Sequence, residues 1–164
     1  MKDQITRMLA DAEARLHDAS LLDGCASRAS DAPALLRVLA LEVLLKAAQA
    51  LESGRYTRTH DYACLWRSIG SNGQASVLQH AEQSIPGCLL GKDIDLLLRD
   101  WAFVFTRSRY YFELYEKYTL EEQEELGRLW IALGSPEAEA EVRYHPREIR
   151  ALCAGLIAYL TNAA

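Results

Sequence analysis

The chain has 164 residues, half of them hydrophobic and a quarter charged, with 23 Asp and Glu against 18 Lys and Arg. This composition fits one soluble domain spanning residues 1–164 with a real core, and 9 Gly with 4 Pro are too few for a turn-rich β-protein. The net charge of −5 argues against broad, tight binding to a nucleic-acid backbone, which needs many cationic contacts.

Apolar residues recur at spacings of three and four almost throughout, the period of an α-helix. Ile5, Met8, Leu9, Ala12, Leu16 and Ala19 fall on one face of a first helix, which Asp23-Gly24 is expected to close. A loop follows, with Asp31 as the N-cap of a second helix and Pro33 in its first turn. That helix, residues 33–52, is the most apolar and belongs at the centre of a bundle. Its polar stripe is Glu42, Lys46 and Gln49, with Glu42 and Lys46 in the favourable i, i+4 order. Gly54 supplies its stop.

Thr59 is the expected N-cap of a third helix carrying Cys64, Leu65, Trp66 and Ile69, broken by Ser71-Asn72-Gly73. A weak helix over 75–83 ends at Pro86-Gly87. A long fifth helix over 94–118 carries a core stripe of Leu97, Trp101, Val104, Phe105, Ser108, Phe112 and Tyr115. Thr119 and Glu122 fit a capping box for a helix with Leu126, Leu129, Trp130 and Leu133, ended by Gly134-Ser135-Pro136. Residues 137–145 read as an acidic connector. Pro146 opens a last helix with Ile149, Leu152, Cys153, Leu156 and Leu160 inward. The fold class is all-α, a bundle of five or more helices.

Several chemistries find no support. Cys25, Cys64, Cys88 and Cys153 are far apart and sit in apolar or small-residue surroundings, which predicts buried, reduced thiols. No pattern of metal spacing and no Gly-rich phosphate loop is present, so neither a metal nor a nucleotide cofactor is expected. The charged, amphipathic N-terminus does not suit a secretory signal, and no run is long and apolar enough to span a membrane, so a cytoplasmic protein without membrane association is expected.

Two clusters can carry chemistry. Arg55, Arg58 and His60 crowd the connector after Gly54. With Thr59 as cap, His60 takes the first helical position and Asp61 the second, so free amides and two arginines make an anion pocket beside a group that titrates near neutral pH. The plainer alternative is a solvated basic loop. The second cluster is Arg109 and Glu113, four apart on the fifth helix. Either they pair internally and fix packing, or Glu113 orients Arg109 towards a phosphate.

Taken together, Glu42-Val-Leu-Leu-Lys46, Thr59-His60-Asp61-Tyr62 with Leu65 beyond, and Arg109-Tyr-Tyr-Phe-Glu113 resemble the HEPN superfamily of small α-helical domains, over roughly residues 10 to 120. The resemblance implies an up-and-down helical core and a homodimer. Many members are metal-independent endoribonucleases with an Arg, four to six residues, then His, and Arg55 to His60 meets that spacing. It then implies a ribonuclease of toxin or defence type. His60, Arg55 and Arg109 would be catalytic, Arg58, Asp61, Glu113 and Lys46 would bind, and an antitoxin or another protein would be the partner. In the superfamily's ribonucleases the motif usually lies toward the C-terminal helix, whereas here it lies between the second and third helices. A noncatalytic HEPN-like module that docks a protein or RNA is therefore the second reading.

Overall fold

A computed structural model describes residues 2–25, 31–107, 110–136 and 140–163, and the side chains within them except those of Cys25 and Tyr111. The protein is all-helical over these residues. Its elements are α1 (Lys2–Cys25), α2 (Ala32–Ser53), α3 (Tyr62–Arg67), α4 (Ser71–Ser84), α5 (Leu90–Arg107), α6 (Tyr111–Leu114), α7 (Leu120–Ala132) and α8 (Pro146–Ala163).

The most apolar helix lies at the centre, as its composition predicts. Val38, Leu41, Leu44, Leu45, Ala47 and Ala48 of α2 are fully buried, and α1, α3, α5 and α8 pack around them. Each buried Leu or Val side chain contributes about 1.5–3 kcal/mol. The α1 face is the predicted one. Ala12 and Ala19 are fully buried, Ile5 nearly so, with Met8, Leu9 and Leu16 packed at their flanks. The small alanines let the backbone of α1 close onto α2. Asp23 and Gly24 do not end α1 but lie in its last turn. There the Asp23 carboxylate accepts hydrogen bonds from the buried guanidinium of Arg37, tying the end of α1 to the start of α2. Asp31 holds the N-cap position of α2 without a side-chain bond, and Pro33 sits in the first turn. Gly54 closes α2 in the left-handed region at φ 75°, its N–H donating to Ala50.

Ser71-Asn72-Gly73 opens α4 instead of breaking a helix. Gly73 serves packing. A Cβ there would lie 2.7 Å from the Glu52 carboxylate and 2.9 Å from the Tyr159 hydroxyl of α8. Gln74 completes the junction by donating to the carbonyls of Trp66 and Ile69 at the end of α3. The α4–α8 contact is closer still at Gly155, beside Val77 and Ala81.

The expected long helix over 94–118 is divided. Leu97, Trp101 and Val104 are buried and Phe105 packs at the core edge, as predicted. The chain leaves helical geometry at Tyr110 (φ −135°, ψ 45°), and Phe112 is exposed. The aromatic run Tyr110 to Phe112 has only middling helix propensity, so local preference alone does not carry the helix through. Ser108, placed on the core stripe by its spacing, lies outside the described residues. The Thr119–Glu122 capping box forms in full at the head of α7, yet none of the apolar residues of α7 is buried. Ile149, Leu152, Cys153, Leu156 and Leu160 of α8 all face inward. The connector before α8 is tied down at its end. Val142 and Tyr144 pack on the core, Trp101 donates its indole N–H to the Tyr144 carbonyl at 2.7 Å, and His145 meets Asp100 at 2.8 Å.

The expectation of four buried thiols is corrected in part. Cys153 is buried, and burial pushes its thiol up to about 12. Cys88 is half-buried, while Cys64 is exposed because it sits on the outer side of the short α3. No helix among the described residues is long and apolar enough to cross a membrane.

Candidate functional site

The site grows from the polar residues of α2. Glu42, Lys46 and Gln49 stand on the mostly apolar α2 at i, i+4 and i+7, so they form one line along it. After Gly54 the chain turns and runs back along that line. Ser53 shares its hydroxyl between the carbonyls of Gln49 and Arg55. The Gln49 side-chain carbonyl then accepts from the Thr57 backbone N–H at 2.8 Å and its hydroxyl at 3.2 Å. Three residues on, the Glu42 carboxylate meets His60 Nδ1 at 3.0 and 3.1 Å. The register is geometric. Seven helical residues rise about 10.5 Å, and three extended residues span about 10 Å.

Glu42 is the hub. Its carboxylate also accepts from Lys46 Nζ at 2.7 Å and lies 3.5 Å from the Tyr62 hydroxyl, which donates to the Val38 carbonyl at 3.2 Å. The spacing alone suggests a solvent-facing Glu42–Lys46 pair. Instead the side chains are only 10% and 12% exposed, because the connector covers them. Burial pushes the Glu42 carboxyl up, but the hydrogen bonds from Lys46 and His60 outweigh it and hold it below its ordinary value. Burial, with Glu42 alongside, pushes the Tyr62 hydroxyl well above its ordinary range.

The His60 side chain is 62% exposed. Its ring stacks on Phe105 of α5, with centroids 5.3 Å apart and planes 16° from parallel. A carboxylate only accepts, so in the neutral ring Nδ1 carries the hydrogen and Nε2 keeps the lone pair. Nε2 has no partner among the described residues. The imidazole is thus held on one face by an aromatic ring and at one nitrogen by a buried anion. That is the geometry of a positioned acid or base.

The helix start beside it differs from expectation. Asp61, not Thr59, caps α3, and its carboxylate accepts from the Cys64 N–H at 2.8 Å. Thr59 accepts from the Asp61 N–H at 3.0 Å and shapes the preceding turn. Both residue types cap well, and the one three positions before a free amide prevails. His60 therefore lies outside the helix. The amide that was to receive an anion is filled by the chain's own carboxylate, which would repel a second anion there. Asp61→Ala is expected to cost about 1 kcal/mol, read as a lowered midpoint in urea, while Asp61→Asn should retain most of the stability.

Arg55 and Arg58 are exposed on the connector, and their guanidinium groups make no hydrogen bond or ion pair among the described residues. Arg109 lies outside the described residues. Glu113 is exposed on α6, a four-residue helix that begins after non-helical Tyr110, and the expected pairing with Arg109 falls outside the described residues. The structure thus brings together His60, Glu42 and Lys46, with Asp61 fixing the turn. Sequence reasoning missed Glu42 as the partner of His60 and Phe105 as its platform. The available signal was the polar line on α2, since a charged stripe on a helix with so little free surface has to be met by something polar.

Among the described residues no group of three His, Cys, Asp or Glu is arranged to hold a metal ion. No family model matches the chain, and neither a curated protein nor a solved structure shows significant similarity to it.

Proposed function

We propose that the protein is a HEPN-like, metal-independent endoribonuclease of toxin or defence type, with His60 as its acid–base group. The observation that carries this reading is the exposed imidazole of His60, set by the buried Glu42 carboxylate, its Nε2 without a hydrogen-bond partner among the described residues. His60 Nε2 takes the proton of a ribose 2′-OH. The oxygen attacks the adjacent phosphorus, the bond to the 5′ oxygen breaks, and the proton passes from His60 to that leaving oxygen. Arg55, with Arg58 three residues on, neutralises charge on the phosphate oxygens. Glu42 is a positioning residue, because it acts through His60. Lys46 is one too, since it holds Glu42 ionised. By the same resemblance the working form is a cytoplasmic homodimer whose partner is an antitoxin.

The test is incubation of the purified protein with a mixed RNA pool in the presence of chelator. Expected products carry 2′,3′-cyclic phosphate and 5′-hydroxyl ends, and folded His60→Ala forms them at least about 10²-fold more slowly. RNA left intact by the wild-type protein would sink this reading.

One observation favours a second reading, a noncatalytic HEPN-like module that docks a protein or RNA. Glu42 is engaged inside the fold by Lys46 and His60. The network then exists to pin the connector to α2. Under it, His60→Ala lowers thermal stability and there is no cleavage to lose.

A further inference from the structure

α7 is an amphipathic helix whose apolar side faces solvent. Leu126, Leu129 and Leu133 stand at i, i+3 and i+7, and are 41%, 54% and 71% exposed. Trp130, half-buried, lies next to Leu126 on the same side. The helix has four glutamates, Glu121, Glu122, Glu124 and Glu125, against one arginine, Arg128. Glu122 continues the line of the leucine stripe at its N-terminal end, and Glu125 flanks it. A 13-residue helix is marginal in water by its own propensity, and burial of its apolar face is the usual source of the missing stability.

We infer that the outer face of α7 is a docking surface for a basic amphipathic helix of a partner protein. Charge decides the occupant. RNA and an anionic lipid surface would both meet the glutamates with like charge. A second copy using the same face would set one acidic border against another, and like charges opposed across an interface are costly. A helix with leucines on one face and lysines beside them satisfies both features, its apolar residues filling the Leu126–Leu129–Leu133 stripe and its cations meeting Glu122 and Glu125. The inference holds under either reading of His60, because it uses no residue of that site.

The test uses the full chain and a synthetic leucine–lysine peptide of roughly 18 residues, long enough to hold a helix, against a permuted peptide of the same composition with no apolar face. Trp66 and Trp101 are buried, so Trp130 is the tryptophan whose emission reports on this face. Expected are a saturable blue shift with the amphipathic peptide, weakening as salt rises, and binding at least about tenfold weaker for the permuted peptide. Leu126→Ser with Leu129→Ser should weaken binding by at least about tenfold. Should those serines melt α7, Glu122→Gln with Glu125→Gln keeps the stripe and good helix formers, and is expected to reduce both affinity and its salt dependence. Equal binding of the two peptides, or glutamine variants that bind as tightly as wild type, would overturn the proposal. So would a wild-type dimer in sedimentation that the serine variant abolishes, since the occupant would then be a second copy.

Discussion

Replacing Gly155 with alanine is expected to lower stability by about 2 kcal/mol, a fall in melting temperature of roughly 4–8 °C for a chain of this size. Two effects oppose each other. Alanine is a better helix former than glycine by about 1 kcal/mol. Against this, a Cβ at position 155 would sit 2.4 Å from the Val77 carbonyl oxygen and 3.1 Å from both the backbone nitrogen and the Cβ of Ala81. These neighbours are mostly backbone of α4, so no side-chain rotation relieves them and the two helices must separate. Overpacking costs about 1–3 kcal/mol and more where the backbone must move, so the clash wins. The Gly73 position is a built-in comparison. There all three close atoms are side-chain atoms, the ends of Glu52 and Tyr159, which can swing aside, and the Ile69 Cγ2 at 2.8 Å, which must give slightly, so without a backbone clash Gly73→Ala should cost less. Thermal denaturation of both variants checks the order. A Gly155→Ala protein as stable as wild type would mean that α4 and α8 are not packed this closely.

The same two glycines show where the sequence is legible and where it is not. Helix ends written in local chemistry are readable: Gly54 as the left-handed stop of α2, Thr119 with Glu122 as a capping box, Pro146 as the first residue of α8. So are the faces of α1, α2 and α8, because each buries a continuous periodic stripe. Gly73 reads as a breaker because its partner, Tyr159, lies far along the chain, and close approach to a distant helix leaves no local mark. Thr59 and Asp61 are equally good caps on paper, and only the path of the connector selects Asp61. α7 has the periodicity of a packed helix and is not packed, since a period records which face is apolar and not whether the chain offers that face a surface. At the site, the exposed His60 is visible from its place in a polar connector. Its partner Glu42 is 18 residues away, and its platform Phe105 on a third element, so neither contact is available to spacing arguments.

On the proposed ribonuclease reading, His60→Ala is expected to reduce RNA cleavage by about 10²- to 10⁴-fold, the usual contribution of a positioned acid or base, and Glu42→Gln tells why. Gln retains the shape of Glu42, but its amide can donate to Nδ1 as well as accept, so the tautomer with the lone pair on Nε2 is no longer enforced. Cleavage should fall by about 10²-fold, the low end of that range, with kcat affected and KM little changed, because Arg55 and Arg58 are untouched. The substitution also strands the Lys46 ammonium, which is 12% exposed. Breaking a buried pair costs about 3–5 kcal/mol, and partial access of water brings this towards about 2 kcal/mol. Acid stability separates that structural loss from the catalytic one. Burial raises the Glu42 carboxyl, and hydrogen bonds from Lys46 and His60 bring it below its ordinary value of 4.5. As pH falls the unfolded chain therefore takes up the proton first. The carboxylate's contribution is complete above that value and is lost as pH drops below it, through the lower folded-state value. Urea titrations from neutral pH down to about pH 3 should show this loss in the wild-type protein and a flatter profile in Glu42→Gln. A positioning role requires both signatures, the flattened acid profile and a kcat loss that persists at neutral pH in protein shown to be folded. If the acid profile flattens while cleavage is unchanged, the Glu42–His60 contact does no more than hold the connector against α2.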